Sequence, residues 1–555
     1  MPKRIQDNGM KLRILVGLLV VLLGTNHSYA VEDEQWPIPN NFQDGHHSIL
    51  IEDGNEFNNK FSVLFGSNSF LCSSVSDQNC LNANKFRFNS ILPICSEENS
   101  IDCIVGLEAI DMNGNIDSGL FSKYSQPNHP NKFSGDRSLN LPNPESPGLW
   151  NLTNTPHSSG VLYGLTVGIN GEFVRGGKSV DWNSFYANLQ AVSLKSGFGK
   201  FTDRNGFENF PKCIPVERSN NSSYGCGSGA EEFGQHRCAI KSTENGDCYL
   251  NHSLPKDTKF KVNLRLSQEP NGWLHGRVFN PEISIKNSNK VVEVSISGVA
   301  SEVPTFYSGG QFNNLSKEIQ DFWTNCLPKY LCPSATRRFD SYPNNNPNGL
   351  TRNVQYTPQP YGDHVINQLT ELLPLMGDKS IAVPSRWSIR TLEANEMQRA
   401  DGCFKKGNGL KGIVSTNATV YSEGPPEYSG DNLQYKVAAP HLRPDDQEFR
   451  GSYNLVMRSD VARCVYGFSS APIRAMIQVV NEAGINSIAT TTISERNNWL
   501  SLSAYNFTFS APTIKVSLSQ AKNQRYAISC VKGKVTKKVT GTKPKCPAGF
   551  KIKTN

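Results

Sequence analysis

The chain has 555 residues, of which 37% are apolar and 19% charged, and its formal net charge is +7. A chain of this length exceeds the size at which a single core stops growing, so about three or four domains are expected. Asn, Ser, Gly and Pro are frequent and no run rich in Ala, Glu, Leu and Lys occurs, which favours strands and turns over long helices.

Residues 1–30 have the three parts of a secretory signal peptide. Four basic residues between positions 3 and 13 precede an apolar stretch over 14–24, and Ser28 and Ala30 are the small residues before the cleavage point. The apolar stretch is shorter than the roughly 20 residues that a membrane-spanning helix needs, and no later segment is apolar enough to span. We therefore expect a secreted protein, extracellular or on the cell surface, that does not span a membrane.

Residues 31–205 are expected to form a β-rich domain. Phe86 and Phe88 alternate with polar residues, and Gly, Asn and Pro interrupt the chain at short intervals, a pattern typical of a sandwich or barrel. The proline-containing tract from Ser125 to Asn151 is interpreted as a surface loop. The acidic stretch from Asp111 to Asp117 departs from the spacing of a calcium loop, and its Asn113-Gly114 dipeptide predicts a hairpin turn instead.

Residues 206–305 are predicted to be a cysteine-rich β domain. Apolar residues alternate from Phe260 to Leu266, and two further alternating runs flank residues 287–289, which predicts a hairpin. Trp273, His275 and Arg277 lie close together and would suit a glycan platform. The preferred interpretation places Trp273 in the core and Arg277 on the surface, because strand aromatics usually serve packing.

Residues 306–400 are expected to be a mixed unit and the only one with helix. Leu315, Ile319 and Phe322 have helical spacing behind a possible cap at Asn313 or Asn314, and a second short helix is predicted from about Val365 to before Pro374. Residues 401–520 again alternate as strands and are predicted to form one β-sandwich.

Residues 521–555 form a basic C-terminal cassette. From 522 to 555 the chain carries ten Lys or Arg and no Asp or Glu, whereas removing this segment and the signal peptide, which carries +3, leaves a body of −6. Residues 531–535 read as a tight hairpin, and a bridge between Cys530 and Cys546 would enclose most of the charge. We predict that the cassette binds polyanions through six lysines: Lys532, Lys534, Lys537, Lys538, Lys543 and Lys545.

The expected partners are cell-wall or other extracellular anionic polymers. Nucleic acid is disfavoured because aromatic residues for base stacking are nearly absent and only Phe550 lies near these lysines. A basic tail that merely improves solubility is the alternative, since charge runs are usually solvated.

All 14 cysteines are interpreted as disulfide-bonded, because they fall into even, sequence-local groups and the chain has an export signal. The spacings do not match those of zinc ligands, and neither a metal nor a cofactor is expected. The groups are Cys72/Cys80, Cys95/Cys103, the quartet Cys213/Cys226/Cys238/Cys248 with open connectivity, Cys326/Cys332, Cys403/Cys464 and Cys530/Cys546.

No motif of a hydrolase, metalloprotease, nucleotide-binding or dinucleotide-binding site occurs, so no catalytic residue is assigned. The favoured function is therefore a non-enzymatic, envelope-associated protein. A secreted carbohydrate-active hydrolase, with its site between the second and third units, and an adhesive protein are the alternatives.

Several stretches resemble large, uncharacterised exported proteins of actinobacteria. The resemblance is carried by residues 412–418, 424–426, 461–468 and 507–510, and by the C-terminal pattern that starts at Cys530 and ends with Cys546-Pro547-Ala548-Gly549-Phe550-Lys551. It is specific over about 412–553 and weaker over 205–305, and residue 550 is Phe where the pattern has Tyr. The resemblance implies that the protein is secreted and located at the cell surface, and it identifies no catalytic or binding site.

Together these observations predict a mainly β protein. It would consist of several disulfide-stapled β-sandwich-like domains with a small helical insertion and a short basic C-terminal cassette.

Overall fold

A computed structural model describes most of the chain between residues 46 and 553. The described residues are 46–51, 62–66, 71–127, 132–195, 214–218, 221–225, 238–241, 248–288, 291–321, 354–356, 358–468, 473–480, 490–509, 513–520, 526–533, 535–541 and 544–553. The predicted signal peptide and residues 322–353 lie outside them. Strands dominate the described residues, which confirms the mainly β class.

The described residues from 46 to 195 form strands β1 to β9. In β3, Phe86 and Phe88 are buried while Arg87 between them is exposed, because neighbouring residues of a strand point to opposite faces. The bounds are β1 (His46–Ile51), β2 (Val63–Phe65), β3 (Lys85–Ile91), β4 (Cys103–Ile110), β5 (Ile116–Ser118), β6 (Leu120–Tyr124), β7 (Gly148–Asn151), β8 (Leu162–Val174) and β9 (Asp181–Lys195).

The tract from Ser125 to Asn151 is more than the surface loop predicted for it. It ends in β7, where Leu149 and Trp150 are buried, and Phe133 and Leu141 also pack into the core. Its prolines prevent long strands, yet the apolar side chains between them are still drawn out of water.

Strands β10 to β19 follow. In β14 every second side chain from Phe260 to Leu266 is buried, as the alternation predicted. Ser288 pairs with Val291, which confirms the hairpin between β15 and β16. The bounds are β10 (Ile214–Arg218), β11 (Asn221–Gly225), β12 (Cys238–Lys241), β13 (Cys248–His252), β14 (Lys259–Leu266), β15 (Gly272–Ser288), β16 (Val291–Glu302), β17 (Phe306–Gln311), β18 (Val354–Tyr356) and β19 (Ser385–Thr391).

Strands β20 to β31 complete the described chain. The bounds are β20 (Leu410–Thr416), β21 (Val420–Tyr421), β22 (Glu427–Ser429), β23 (Asn432–Ala438), β24 (Gly451–Arg458), β25 (Ile473–Val480), β26 (Thr490–Arg496), β27 (Trp499–Phe507), β28 (Thr513–Gln520), β29 (Tyr526–Lys532), β30 (Val535–Gly541) and β31 (Lys551–Ile552).

The helices are short. The helix predicted before Pro374 is confirmed and buries Val365, Ile366 and Leu369, the apolar stripe of its sequence. The bounds are α1 (Gln78–Leu81), α2 (Asp363–Leu372), α3 (Gly402–Lys405) and α4 (Ser459–Tyr466), with 3₁₀ turns at Arg137–Leu139, Phe312–Asn314 and Pro374–Met376.

Two helix predictions were wrong. Helix is not confined to residues 306–400, since α1, α3 and α4 lie outside that segment. The cap expected at Asn313 or Asn314 lies in a 3₁₀ turn, and the helical residues 317–321 follow Ser316, whose hydroxyl accepts the Ile319 N–H at 3.4 Å. A serine directly before a helix caps it better than a residue held in the preceding turn.

Two sheets share strand β15. The main sheet runs β2-β3-β8-β9-β19-β15-β20-β24-β27-β26, in which β15 and β20 are the parallel pair. The side sheet runs β5-β4-β14-β16-β15 and is antiparallel throughout. Strands β6 and β7 add to β8, and β12 and β13 add to β9.

Each half of the main sheet packs against a second sheet. Buried residues of β3, β8 and β9 share one apolar cluster with those of β4, β14 and β16 of the side sheet. Buried residues of β20, β24 and β27 share another with the sheet β21-β23-β28-β25. Layers of this kind are sandwich-like, because each sheet buries one face against the other.

Strand pairs cross the expected boundaries at residues 205, 305 and 400. β13 pairs with β9, β19 pairs with both β9 and β15, and β20 pairs with β15. The segments on either side of those positions therefore share one sheet. Residues of β29, β30 and β31 pair only among themselves within the described chain.

The structure contains the disulfides Cys72–Cys80, Cys95–Cys103, Cys403–Cys464 and Cys530–Cys546. The Cys403–Cys464 bridge joins α3 to α4. The pairing of Cys213, Cys226, Cys238, Cys248, Cys326 and Cys332 lies outside the side chains that the structure describes.

Candidate functional site

The basic cassette is a three-stranded antiparallel sheet with β29 in the centre. Lys532 pairs with Val535, which confirms the tight hairpin, and Gly533 at its turn has a φ of +60° that a glycine adopts without strain. On the other side, Cys530 and Val531 of β29 pair with β31. A short strand from the very end of the described chain thus returns to the cassette.

One face of this sheet is covered by residues 544–550. Cys530 has no exposed surface and is bonded to Cys546, which fixes the covering segment in place. The Lys537 ammonium lies 5.3 Å from the centre of the Phe550 ring, a cation–π contact. Lys532 runs beside Gly549, where an added side-chain carbon would lie 3.2 Å from its Nζ.

The predicted lysines lie on both faces of the cassette. Lys537 pairs with Cys530 and therefore shares the covered face with Lys532, whereas Lys538 pairs with Ser529 and points to the opposite face. Lys545 is exposed on the covering segment. Lys534 and Lys543 lie outside the described residues.

The exposed lysines of the cassette keep their charge directed at solvent. Lys532, Lys537, Lys538 and Lys545 are all exposed, as are Lys551 and Lys553, and none of the six forms an ion pair with a carboxylate among the residues that the structure describes. Because residues 522–555 contain no acidic side chain, the cassette has no internal counter-charge. Such a unit attracts anions from every side, in a manner that salt screens.

The Trp273, His275 and Arg277 group is buried and does not form a surface glycan platform. The interpretation of Trp273 as a core residue is confirmed, but that of Arg277 as a surface residue was wrong, since only 1% of it is exposed. Its guanidinium donates to the carbonyls of Thr416 at 2.9 Å and of Ala418 at 2.6 Å. Residues two apart on a strand share a face, and here that face is covered by the chain after β20.

A second arginine extends this buried cluster. Arg390, which pairs with His275 across β15 and β19, forms a bidentate ion pair with the fully buried Glu396 at 2.6 and 2.9 Å. Burial, followed by the charges of Arg277 and Arg390, holds the pKa of His275 well below its ordinary value, so this imidazole is neutral. The strand pattern placed His275 and Arg277 on one face, but no local signal pointed to Arg390 or Glu396.

The stretch from Asp111 to Asp117 is a turn, as its Asn-Gly dipeptide predicted. The Asp111 carboxylate accepts the N–H groups of Asn113 and Asn115, both at 2.8 Å, and Gly114 has a φ of +84°. The Asp117 carboxylate instead accepts the N–H of Asn154. The acidic oxygens thus do not converge on one point.

Within the described ranges, no three His, Cys, Asp or Glu side chains group so as to hold a metal ion. No helix in the same ranges is both long and apolar enough to cross a bilayer.

No protein-family model, curated protein or solved structure matches this chain. The resemblance to exported proteins of actinobacteria therefore stays a prediction, as do secretion and the hydrolase and adhesive alternatives.

Proposed function

We propose that the protein is an extracellular β protein whose basic C-terminal cassette binds anionic polymers of the cell envelope. The disulfides and the multi-sheet β architecture fit an extracellular protein. The observation that carries the proposal is the constrained positive charge of the cassette, six exposed lysines among its described residues, on a small disulfide-closed sheet without an acidic side chain.

The distribution of charge over two faces favours a flexible chain of negative groups. A polymer that carries one charge per repeat can follow Lys537 on one face and Lys538 on the other, whereas a single small anion would meet only one of them. The Lys537 ammonium lies over one face of the Phe550 ring, so that face meets a cation instead of a stacked base, which supports acidic polymers over nucleic acid.

Co-sedimentation with purified cell walls across a salt series tests the proposal. The full chain should bind at low salt and dissociate as salt rises, and a chain that ends before residue 522 should bind much more weakly. Replacing Lys532, Lys537, Lys538 and Lys545 by Gln removes four of the ten positive charges of the segment, so it should weaken binding clearly, though less than the truncation does.

The matched control removes four exposed lysines elsewhere, Lys123, Lys178, Lys286 and Lys406, and so changes the net charge equally. If truncation or the cassette variant binds as well as the control, the cassette is not the attachment module.

A further inference from the structure

A cleft of about 750 Å³ lies where β15 passes from the main sheet to the side sheet. Up to Arg277 this strand pairs with β19 and β20, and from Val278 onward it pairs with β16. The register shifts between Phe279 and Glu282, and Asn280 at this point has a φ of +48° before Pro281. A bulge of this kind bends the strand and opens a concave corner between the two sheets.

Hydroxyl groups line both walls of the cleft in cross-strand pairs. On the side sheet Ser284 pairs with Ser295, and on the main sheet Ser494 pairs with Ser501 and Thr492 with Ser503. The structure shows no hydrogen-bond partner for the hydroxyls of Ser284, Thr492, Ser494 and Ser501 among the residues it describes. Each can donate and accept, so together they form a row of neutral, two-way hydrogen-bonding groups.

An indole ring lies in the same cleft. Trp499 packs against the core cluster of the main and side sheets but remains partly exposed toward the cleft. In this it differs from Trp150, Trp273 and Trp387, which are buried. A half-exposed indole offers a flat apolar face to a ligand and a polar edge to water.

The charged side chains at the rim are mostly neutralised. Lys259 pairs with Glu282 at 2.9 Å, and Lys261 pairs with Glu108 at 3.1 Å. Arg496 is exposed on β26 and is a single cation, not a cluster. The cleft therefore lacks the concentrated charge that phosphate or nucleotide recognition requires.

We propose that this cleft is a binding site for a short neutral oligosaccharide. Sugars carry hydroxyl groups that both donate and accept hydrogen bonds, and the hydroxyls on the two walls of the cleft match them. Sugar rings also have flat, apolar faces, which can pack against the Trp499 indole. An apolar ligand would leave the hydroxyls unsatisfied, and the cleft volume falls within the range of about 300–1,000 Å³ usual for small-ligand sites.

Isothermal titration of the full chain with tetrasaccharides tests this proposal. The probes are β-1,4-linked glucose, N-acetylglucosamine, xylose and mannose, and α-1,4-linked glucose. At least one should bind, and Trp499→Ala should weaken that binding by about tenfold, since one stacked ring of this size is worth about a decade of affinity. Ser494→Ala with Ser501→Ala, and separately Thr492→Arg, should also weaken it without touching the core.

The matched control is Trp182→Ala. Trp182 also packs partly exposed against the same core cluster, but it donates to the Asn140 carbonyl and does not line the cleft. This variant should keep the affinity of the unmodified chain.

Binding of the sugar should persist at about 0.5 M salt and after deletion of residues 522–555, which separates this site from the cassette. The proposal is overturned if none of the five sugars binds, or if Trp499→Ala and the serine and threonine variants bind as tightly as the control.

Discussion

The imidazole ring of His275 lies flat against the phenol ring of Tyr421, with ring centroids 3.9 Å apart and an angle of 5° between the planes. The Arg277 guanidinium lies 4.7 Å from the centre of the same phenol ring. Because burial keeps His275 neutral, the cation over Tyr421 is Arg277. This contact fastens the short strand β21 to the middle of the main sheet.

Arg277→Met should destabilise the fold by about 3 kcal/mol or more. The guanidinium donates to the carbonyls of Thr416, Ala418 and Thr419, and methionine would leave these buried acceptors without a donor. Arg277→Lys should recover only part of the loss, because an ammonium cannot reproduce the planar fork. Urea unfolding of the full chain measures both variants.

Arg87→Met is the control for that experiment. Arg87 also lies on a strand, but 75% of its side chain is exposed, so its replacement should change stability by less than about 0.5 kcal/mol. If Arg277→Met lowers the free energy of unfolding as little as Arg87→Met does, the structural role described for the buried guanidinium is contradicted.

Asp102 should make the fold less stable as the pH rises from about 4 to about 6. Burial raises the pKa of this carboxyl to about 6, against the opposing effect of the Ser267 N–H, which it accepts at 2.7 Å. In this window the folded chain binds more protons than the unfolded chain, so stability falls with rising pH, in total by about 3 kcal/mol.

Asp102→Asn tests this dependence, because asparagine keeps the acceptor oxygen and tolerates the φ of +54° at this position. The variant should be more stable than the unmodified chain at pH 7 and show a flatter profile between pH 4 and 6 in urea unfolding. Asp111→Asn is the comparison. Hydrogen bonds from Asn115 lower the pKa of Asp111, so this substitution should change the pH dependence of stability only below that window. Equal slopes for the Asp102 variant and the unmodified chain would refute the prediction.

Removal of the Cys403–Cys464 bridge by paired serine substitutions should cost about 4 kcal/mol of unfolding free energy. The bridge closes a loop with a sequence separation of 61, and longer loops lose more entropy when closed. The same substitutions at Cys72 and Cys80, eight residues apart, should cost less, about 2.5 kcal/mol. Denaturation midpoints that rank the two variants in the reverse order would speak against this entropic origin.

Serine substitutions at Cys530 and Cys546 should weaken cell-wall binding several-fold although every lysine is retained. The bridge holds residues 544–550 against the sheet, and with them the stacking of Phe550 on Lys537. Loss of that constraint spreads the charge over a larger, more mobile volume, which lowers the local potential. Unchanged co-sedimentation would instead favour the alternative that the segment is a solvated basic tail.

Much of the local structure was predictable because it depends on neighbours in the chain. The alternation from Phe260 to Leu266 predicted β14, the apolar stripe before Pro374 predicted α2, and Gly533 predicted the cassette hairpin. For the candidate site, the sequence identified the basic residues but not their arrangement in space. The lysines could be named from composition, but their division between two faces needed the pairing of Lys537 with Cys530 and of Lys538 with Ser529.

The sequence by itself determined the β class, the turns and the concentration of positive charge at the C-terminus, since each follows from the period or composition of a short stretch. Only the tertiary structure decided that Arg277 is buried and that β15 bends into the cleft beside Trp499. Both depend on the pairing of β15 with β20, which is more than a hundred residues away in the chain. Side-chain burial is set by whichever elements cover a face, and that information is absent from the pattern of the strand itself.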